Sequence, residues 1–352
     1  MKYTHGGDIY TYENMLDFSV NLNPLGPPAA VLEAAKKGVE QAAAYPDSRC
    51  RRLRKKLAGK LGIPGERLIF GNGAAELIYT LVLAEKPKRA LLPVPAFSEY
   101  EQALSTVGCQ IEYADTSVEN GFIADESILE RLDTVPDLLF LCSPSNPSGR
   151  KIPGELLMKI VEKCQEKKIR FVLDECFIDF LPDAGKISMT EQTEKFPSLF
   201  VLRAFTKIYA MPGLRLGYGI SSDGALLERM ERMRQPWSVS LPAQEAGMAA
   251  LDEKEYTEKA RKMVCEEREY IETKFSEMRI KYISSDANFI LFYSETDLFT
   301  QLKNRGILIR DCSDYRGLGR GWFRTAVRTH EENMRLICAL EDVLKKKKED
   351  DR

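Results

Sequence analysis

Short apolar runs alternate with helical patterns along the first part of this chain of 352 residues. The runs ALLPV and LLFLC are each followed by apolar residues at helical spacing, and FVLDE and LFVLRAF come after them. Strands that are apolar on both faces and joined by helices are typical of a mostly parallel sheet with helices on each side. The sequence therefore predicts an α/β fold.

The length of the chain exceeds that of an ordinary domain and predicts two unequal domains. The first 28 residues are rich in Gly, Asn and Pro, which indicates irregular chain. After residue 237 a charge-laced helical region (243–278) precedes two predicted strands, ANFILFY and GILIRDC, and a final helix (331–344). We expect an N-terminal arm, a large domain and a smaller α/β domain, at residues 1–30, 31–235 and 236–352.

Lysine and arginine (51) balance aspartate and glutamate (53), which gives no reason to expect nucleic acid or an anionic membrane as a partner. No stretch has the length of uncharged apolar sequence that spans a bilayer, and the N-terminus shows no secretory signal. The eight cysteines form no C-x-x-C pair, and the histidines are His5 and His330, so we predict neither a metal site nor a disulfide framework. We expect a cytoplasmic protein.

The segment VLRAFTKIYAMPGLRLGY carries Lys207 and Arg215 among apolar, small and turn-forming residues. Its first residues indicate a buried strand, which places Lys207 just beyond the strand end. Burial would lower the pKa of the amine and make it a nucleophile toward a carbonyl group. A loop lysine that reaches solvent is the alternative, and the rest of the chain decides between the two.

Four further features fall where predicted strands end, the edge at which open α/β sheets bind ligands. The turn GAA (73–75) follows a strand and opens a helix, so its backbone N–H groups could hold a phosphate. Phe97 could cover a planar ring, Asn146 offers an amide between two prolines, and Asp174 ends an apolar strand. Each of these features also has an ordinary structural explanation. The turn at 73–75 could serve close helix packing, Phe97 could belong to the core, and Asp174 could cap the next helix.

Together these residues suit one cofactor. A carboxylate such as Asp174 keeps a pyridine nitrogen protonated, which makes the ring an electron sink. Asn146 could donate to a ring oxygen, and Lys207 could bind an aldehyde. The turn at 73–75 could hold a phosphate together with Thr206 and Arg215. The set predicts pyridoxal 5′-phosphate (PLP).

The order of the motifs GNGAAE, PAFSEY, SPSNPSG, FVLDE, RAFTK and PGLRLGY resembles that of the fold-type I PLP enzymes of the aspartate aminotransferase superfamily, over essentially the whole chain. The resemblance implies a mostly parallel, seven-stranded sheet in the large domain. It implies that Lys207 binds the cofactor aldehyde, Asp174 the pyridine nitrogen and Asn146 the 3-hydroxyl group. It also assigns ring stacking to Phe97, and binding of the cofactor phosphate to Gly73, Ala74, Ala75 and Arg215.

The resemblance further implies a homodimer with shared active sites. Tyr45 in the YPD motif resembles a tyrosine that crosses the interface to the cofactor phosphate of the neighbouring subunit. One position departs from many aminotransferases of the group, because Phe177 stands where they have a tyrosine that helps to bond the 3-hydroxyl group. The acidity of that oxygen would then depend more on Asn146.

Two branches of the superfamily compete, the histidinol-phosphate aminotransferases and the L-threonine O-3-phosphate decarboxylases of cobalamin synthesis. The stretches HGG, LDFSVNLNPLGPP, DECFIDF and QPWSVS resemble the decarboxylases, as does the segment from ILIRDC to THEEN. We therefore expect decarboxylation of L-threonine O-3-phosphate to (R)-1-amino-2-propanol O-phosphate and carbon dioxide. L-Serine O-phosphate is an alternative substrate, because one methyl group discriminates by only about 1–3 kcal/mol. A protein of this fold without catalysis is a third alternative, against which the complete cofactor set argues.

A decarboxylase must hold the substrate carboxylate perpendicular to the cofactor ring, since the bond in that position is the one that breaks. Arg324 matches the superfamily arginine that grips this carboxylate, a bidentate task suited to guanidinium. Lys207 would return a proton to Cα. The substrate phosphate needs further donors, for which His5, Arg316 and Arg328 are candidates, and the two arginines fit equally well as surface residues.

Overall fold

The computed structural model describes residues 5–350, with side chains up to residue 345. Its strands are β1 (Leu16–Asp17), β2 (Leu68–Gly71), β3 (Arg89–Val94), β4 (Gln110–Asp115), β5 (Leu138–Cys142), β6 (Arg170–Asp174), β7 (Leu199–Ala204), β8 (Gly217–Ile220), β9 (Lys281–Ile283), β10 (Phe289–Tyr293), β11 (Ile307–Leu308), β12 (Arg310–Asp311) and β13 (Trp322–Ala326). Its helices are α1 (Ala29–Glu40), α2 (Arg51–Leu61), α3 (Gly73–Glu85), α4 (Ser98–Ser105), α5 (Ser127–Arg131), α6 (Gly154–Lys167), α7 (Ala184–Ile187), α8 (Gly224–Met233), α9 (Leu241–Ala250), α10 (Lys254–Glu277), α11 (Leu298–Lys303) and α12 (His330–Asp350).

Seven strands form the large sheet, in the order β2-β8-β7-β6-β5-β3-β4. From β4 to β7 neighbouring strands pair in parallel, and β8 pairs antiparallel with both of its neighbours. Leu139 and Phe140 on β5 belong to separate hydrophobic clusters, because successive side chains of a strand point to opposite faces. Helices α1, α2, α6 and α9 contribute to one cluster and α3, α4 and α8 to the other. The predicted α/β fold with a mostly parallel, seven-stranded sheet is confirmed.

A second, antiparallel sheet has the order β12-β13-β10-β9. Helix α10 connects the cores of the two sheets. Val264 packs in a hydrophobic cluster of the large sheet, and Phe275 packs in the cluster of the second sheet. The helical region predicted at 243–278 is two helices, because a turn at 251–253 separates α9 from α10. Strand β13 was not predicted, since a buried arginine, Arg324, interrupts its apolar pattern.

The N-terminal arm is partly regular, although its composition predicts irregular chain. Leu16 and Asp17 form β1, which pairs in parallel with β11, and the N–H group of Phe18 donates to the Leu308 carbonyl over 2.7 Å. The Phe18 side chain is fully buried in the cluster of the second sheet. The domain limits at residues 30 and 235 stay predictions.

Within residues 5–350 no helix is both long and apolar enough to cross a bilayer. In the same part of the chain, no group of three or more His, Cys, Asp or Glu side chains is arranged to bind a metal ion.

Candidate active site

A cavity of about 200 Å³ lies at the carboxyl ends of β5, β6 and β7. The last residues of these strands, Cys142, Asp174 and Ala204, line it. Parallel neighbours end at the same edge of a sheet, so the edge brings distant motifs together. Predicted site residues that line this cofactor cavity are Ala74, Ala75, Phe97, Asn146, Asp174, Thr206, Lys207 and Arg215.

Lys207 lies in the loop that follows β7. Its Nζ atom lies 5.4 Å from the centre of the Phe177 ring. Burial lowers the pKa of Lys207 to about 8, and the guanidinium groups of Arg324 and Arg215 act in the same direction. About a tenth of the amine is therefore neutral at pH 7, and this neutral form is the one that attacks a carbonyl group.

Asp174 is buried at the end of β6 and accepts two hydrogen bonds. The hydroxyl group of Tyr100 donates to Oδ2 over 2.6 Å, and the N–H group of Cys176 donates to Oδ1 over 2.9 Å. The Tyr100 ring is itself stacked on Phe140 at a centroid distance of 4.8 Å. These two bonds fix the direction of the carboxylate. Tyr100 was not predicted, although it lies on α4 three residues after Phe97, in the same PAFSEY motif.

Residues at the start of α3 line the same cavity. Gly73 has a φ angle of +81°, and a Cβ atom there would collide with the Arg215 guanidinium. The backbone conformation at this position therefore favours glycine, which also leaves room for the Arg215 guanidinium. Ala74 and Ala75 lie in the first turn of α3, where backbone N–H groups lack helical partners. A helix N-terminus beside a guanidinium group suits an anion such as a phosphate.

Arg324 and Asn146 form one hydrogen-bonded unit beside the cofactor cavity. The Nη1 group of Arg324 donates to Oδ1 of Asn146, and its Nη2 group donates to the Ser19 carbonyl over 3.1 Å. The Tyr315 hydroxyl group lies 3.4 Å from the same Asn146 oxygen. Because Oδ1 is taken, Nδ2 is the Asn146 atom that can donate to a ring oxygen. The sequence analysis missed Tyr315 and Ser19, which lie far from Asn146 along the chain.

The N-terminal arm and α4 meet at the rim of the site. The Nε2 atom of His5 lies 3.1 Å from Oε1 of Glu99, and the ring centroids of His5 and Phe97 are 6.4 Å apart. Arg316 donates to Glu101 over 3.0 Å. The structure thus places His5 and Arg316 near Phe97, each paired with an acid of α4.

Arg310, which the sequence analysis also missed, lies at the same rim. It is buried on β12, and its Nη2 group donates to both carboxylate oxygens of Asp314 over 2.8 Å. Together with Phe97, Tyr315 and Arg316 it lines a small cleft next to the cofactor cavity. An arginine inside the apolar run ILIRD was the available signal for this position.

Two predicted site residues, Arg328 and Tyr45, line neither the cofactor cavity nor the clefts at its rim. Arg328 donates to the Asp17 carbonyl over 2.9 Å and to Glu332 over 2.7 Å, so it joins the arm to the start of α12. Tyr45 is 78% exposed and stacks on Trp237 at a centroid distance of 4.5 Å. Within a single chain, neither lines the cavity that holds Lys207 and Asp174.

A family model described as aminotransferase class I and II matches residues 13–340. The chain belongs to this family. It is 36% identical to the threonine-phosphate decarboxylase of Salmonella typhimurium, over 97% of this chain and 96% of that protein. It is 38% identical to a putative threonine-phosphate decarboxylase of Caldanaerobacter subterraneus subsp. tengcongensis, over 96% and 93%. It is 32% identical to histidinol-phosphate aminotransferase 2 of Archaeoglobus fulgidus, over 94% of each.

Solved structures of this aminotransferase family share the fold. The histidinol-phosphate aminotransferase from Clostridium acetobutylicum superposes with a TM-score of 0.88 at 28% identity, over 94% of this chain and 100% of that one. The L-threonine-O-3-phosphate decarboxylase from Porphyromonas gingivalis superposes with a TM-score of 0.82 at 23% identity, over 94% and 100%. The fold by itself thus accommodates both reactions.

The cofactor of the class I and II aminotransferase family is PLP, as the sequence predicts. The residues that line the cavity fit this group. Asp174 offers a carboxylate acceptor for a pyridinium N–H group, and Lys207 offers an amine of lowered pKa for the aldehyde. The glycine turn and Arg215 offer a cradle for the phosphate. These donors and acceptors match PLP in charge and in hydrogen-bonding character.

The pKa of Lys207 predicts how the cofactor-free protein takes up PLP. The rate at which the visible absorption of the bound cofactor develops should rise with pH and level off above about 8, since only the neutral amine attacks. Stopped-flow mixing of the cofactor-free protein with PLP between pH 6 and 9.5 measures this midpoint. A rate that still rises about tenfold per pH unit at pH 9.5, as for an ordinary lysine, would contradict the buried environment of Lys207.

Replacement of Tyr100 by phenylalanine should weaken the hold on PLP. The variant keeps the stacked ring but removes the donor to Asp174, and we expect PLP to dissociate about tenfold more readily, because hydrogen bonds to charged groups contribute about 1.5–3 kcal/mol. Equilibrium dialysis against PLP measures the change, with Tyr113→Phe as the control on the neighbouring strand β4. Equal affinities for PLP in the Tyr100 variant and the wild type would contradict this role.

Proposed function

We propose that this protein decarboxylates L-threonine O-3-phosphate to (R)-1-amino-2-propanol O-phosphate and carbon dioxide, for the nucleotide loop of cobalamin. The observation that carries the proposal is the identity of 36–38% with two threonine-phosphate decarboxylases over nearly the whole chain. The cofactor cavity supplies what the reaction needs, namely a nucleophilic lysine, a carboxylate for a pyridinium nitrogen and an arginine beside them.

Each residue around the cofactor has a proposed task. Lys207 binds the PLP aldehyde, and Asp174 keeps the pyridine nitrogen protonated. Asn146 donates through Nδ2 to the ring oxygen, a task that Phe177 cannot share because it has no hydroxyl group. Phe97 covers the ring. The phosphate of PLP is held by Thr206, Arg215 and the turn Gly73, Ala74 and Ala75.

Arg324 selects the bond that breaks. When bound, PLP supplies an electron sink for the pair released at Cα of the substrate. Arg324 is fixed by Asn146 and by the Ser19 carbonyl, so it can hold the substrate carboxylate in one orientation. The carboxylate leaves as carbon dioxide, and Lys207 returns a proton to Cα, which keeps the amine on the product.

The substrate phosphate is proposed to lie at the rim of the site. His5, Arg310 and Arg316 meet there, and all three carry or can carry positive charge. Their acidic partners Glu99, Asp314 and Glu101 hold them in place. L-Serine O-phosphate remains an alternative substrate, because the removal of one methyl group changes binding by only about 1–3 kcal/mol.

A homodimer in the cytoplasm is part of the proposal. Tyr45 and Trp237 form an exposed stacked pair, at 78% and 47% exposure, and aromatic residues are enriched in subunit interfaces. We propose that Tyr45 reaches the cofactor phosphate of the partner subunit. Tyr45→Ala should then weaken both dimerisation and PLP binding, which sedimentation velocity and dialysis measure separately.

A histidinol-phosphate aminotransferase is the alternative function, supported by the Archaeoglobus fulgidus relative at 32% identity. The deciding experiment supplies PLP-loaded enzyme with L-threonine O-3-phosphate and no keto-acid acceptor. Release of carbon dioxide with formation of aminopropanol phosphate supports the proposal. No release of carbon dioxide, together with transfer of nitrogen from histidinol phosphate to 2-oxoglutarate, overturns it in favour of the alternative.

A further inference from the structure

Residues 5–7 of the N-terminal arm are held by hydrogen bonds at two places, of which the first is Ser19. The N–H group of Gly7 donates to Ser19 Oγ over 2.8 Å, and a Cβ atom at Gly6 would collide with the Ser19 carbonyl. The same carbonyl accepts the bond from Arg324. The two glycines of the HGG motif therefore let the arm pack against the residue that braces the proposed carboxylate-binding arginine.

The second contact of the arm is with Glu99 on α4. Its carboxylate accepts hydrogen bonds from Nε2 of His5 over 3.1 Å, the hydroxyl group of Tyr79 over 3.1 Å and the side chain of Gln102 over 2.9 Å. The Glu99 side chain is 13% exposed, whereas that of His5 is 56% exposed. Glu99 is thus a nearly buried acceptor held by several donors, and His5 is its more exposed partner.

A second cavity, of about 310 Å³, lies beside the arm. His5, Gly6 and Gly7 line it from the arm, Ser19 from the chain after β1, and Arg310 from β12. The arm forms one wall of this partly open cavity, so its departure would expose the remaining walls, including Arg310, to solvent. Arg310, which also lines the rim of the active site, connects this cavity to the site.

We propose that Glu99 is a positioning residue, which binds His5 and thereby holds residues 5–7 of the arm across this second cavity, so that the phosphorylated end of the substrate is enclosed beside Arg310. The identity of the substrate rests on the proposed function, whereas the closure of the arm rests on the contacts described above. Glu99 lines neither cavity and acts through His5 alone.

Three charged groups act on His5. They are Glu99 on α4, Arg310 on β12 and Asp314 in the loop after β12. The hydrogen bond to Glu99 is the main reason that the pKa of His5 is raised above 6.5; burial and Arg310 oppose it. The charged contact is complete below pH 6.5 and is lost as the pH rises through the raised pKa. The arm should therefore loosen at alkaline pH, and only while Glu99 is present.

The test compares PLP-loaded wild type with Glu99→Ala and Glu99→Gln, and with Tyr79→Phe as the matched control that leaves the Glu99–His5 contact in place. At pH 6 we expect Glu99→Ala to raise KM for L-threonine O-3-phosphate about fivefold with kcat nearly unchanged, since partly exposed ion pairs are weak. Glu99→Gln, which keeps an acceptor but no charge, should raise KM about twofold. The KM of Glu99→Ala divided by the KM of the wild type should fall toward one as the pH rises. The ratio is used because titration of the substrate phosphate affects both KM values equally.

A second readout does not depend on turnover. Amide hydrogen exchange of residues 5–15 should be about fivefold faster in Glu99→Ala and in His5→Ala than in wild type, and no faster in the double variant than in either single one. Unchanged exchange in Glu99→Ala, additive effects in the double variant, or faster exchange with an unchanged KM would each overturn the proposal. Faster exchange in an enzyme that does not decarboxylate threonine phosphate would support the tie between Glu99 and the arm and overturn the proposed function instead.

Discussion

Replacement of Lys207 by alanine is expected to abolish turnover while the chain stays folded. The loss should be at least about 10⁴-fold, because the variant lacks both the covalent attachment of PLP and the acid that returns a proton to Cα, and proton transfer alone contributes about 10²–10⁴-fold. The visible absorption of the bound cofactor should disappear with it. Carbon dioxide release and absorption spectra measure the two effects.

The fold of the Lys207 variant should be unharmed. The amine is held in surroundings that lower its pKa to about 8, so its removal relieves the cost of burying a charge. The melting temperature of the cofactor-free variant should therefore equal or exceed that of the wild type. Lys186→Ala, which changes a lysine that is 85% exposed, serves as the control. Turnover retained by the Lys207 variant would remove this residue from the proposed mechanism.

Replacement of Arg324 by alanine should lower kcat/KM by about 10²–10³-fold, because truncation of one partner of a buried charged pair costs about 2–5 kcal/mol. Two losses combine in this variant. The substrate carboxylate loses its bidentate partner, and Asn146 loses the donor that fixes its amide. Arg324→Lys should recover only part of the activity, because an ammonium group cannot bind the carboxylate and Asn146 in the same planar arrangement.

Arg328→Ala provides the matched control for Arg324, since the two arginines are close in sequence but contact different partners. It removes the bonds to the Asp17 carbonyl and to Glu332. We expect kcat/KM to stay within about threefold and stability to fall by about 1 kcal/mol for a lost hydrogen bond. A loss of kcat/KM as large as that of Arg324→Ala would return Arg328 to the substrate site. An unchanged kcat/KM in Arg324→Ala would show that the carboxylate is held elsewhere.

The large sheet and one end of the cofactor cavity could be predicted because their signals are local. Apolar runs mark β5, β6 and β7, and residues at or just beyond their ends, such as Asp174 and Lys207, fall at the edge where a parallel sheet binds ligands. Gly73 is also a local signal, since its positive φ angle is a conformation that only glycine adopts without strain. These positions follow from the order of the residues alone.

The rim of the site could not be predicted in this way. Tyr315 meets Asn146 across 169 positions of the chain, and Arg324 meets Ser19 across 305. No periodicity of the sequence carries contacts of this kind, because they arise when the second sheet and the arm pack against the large sheet. The arm itself illustrates this, since β1 forms only through pairing with β11.

The sequence by itself determined the α/β fold, the order of the motifs and the residues that meet at the ends of the parallel strands, because each depends on neighbours in the chain. The tertiary structure decided which of two similar arginines faces the site. Arg324 lies within β13 and reaches Asn146, whereas Arg328 lies beyond the end of that strand and turns to the arm and α12. Both side chains have the same chemistry, so only the partners that folding brings to them separate a binding residue from a structural one.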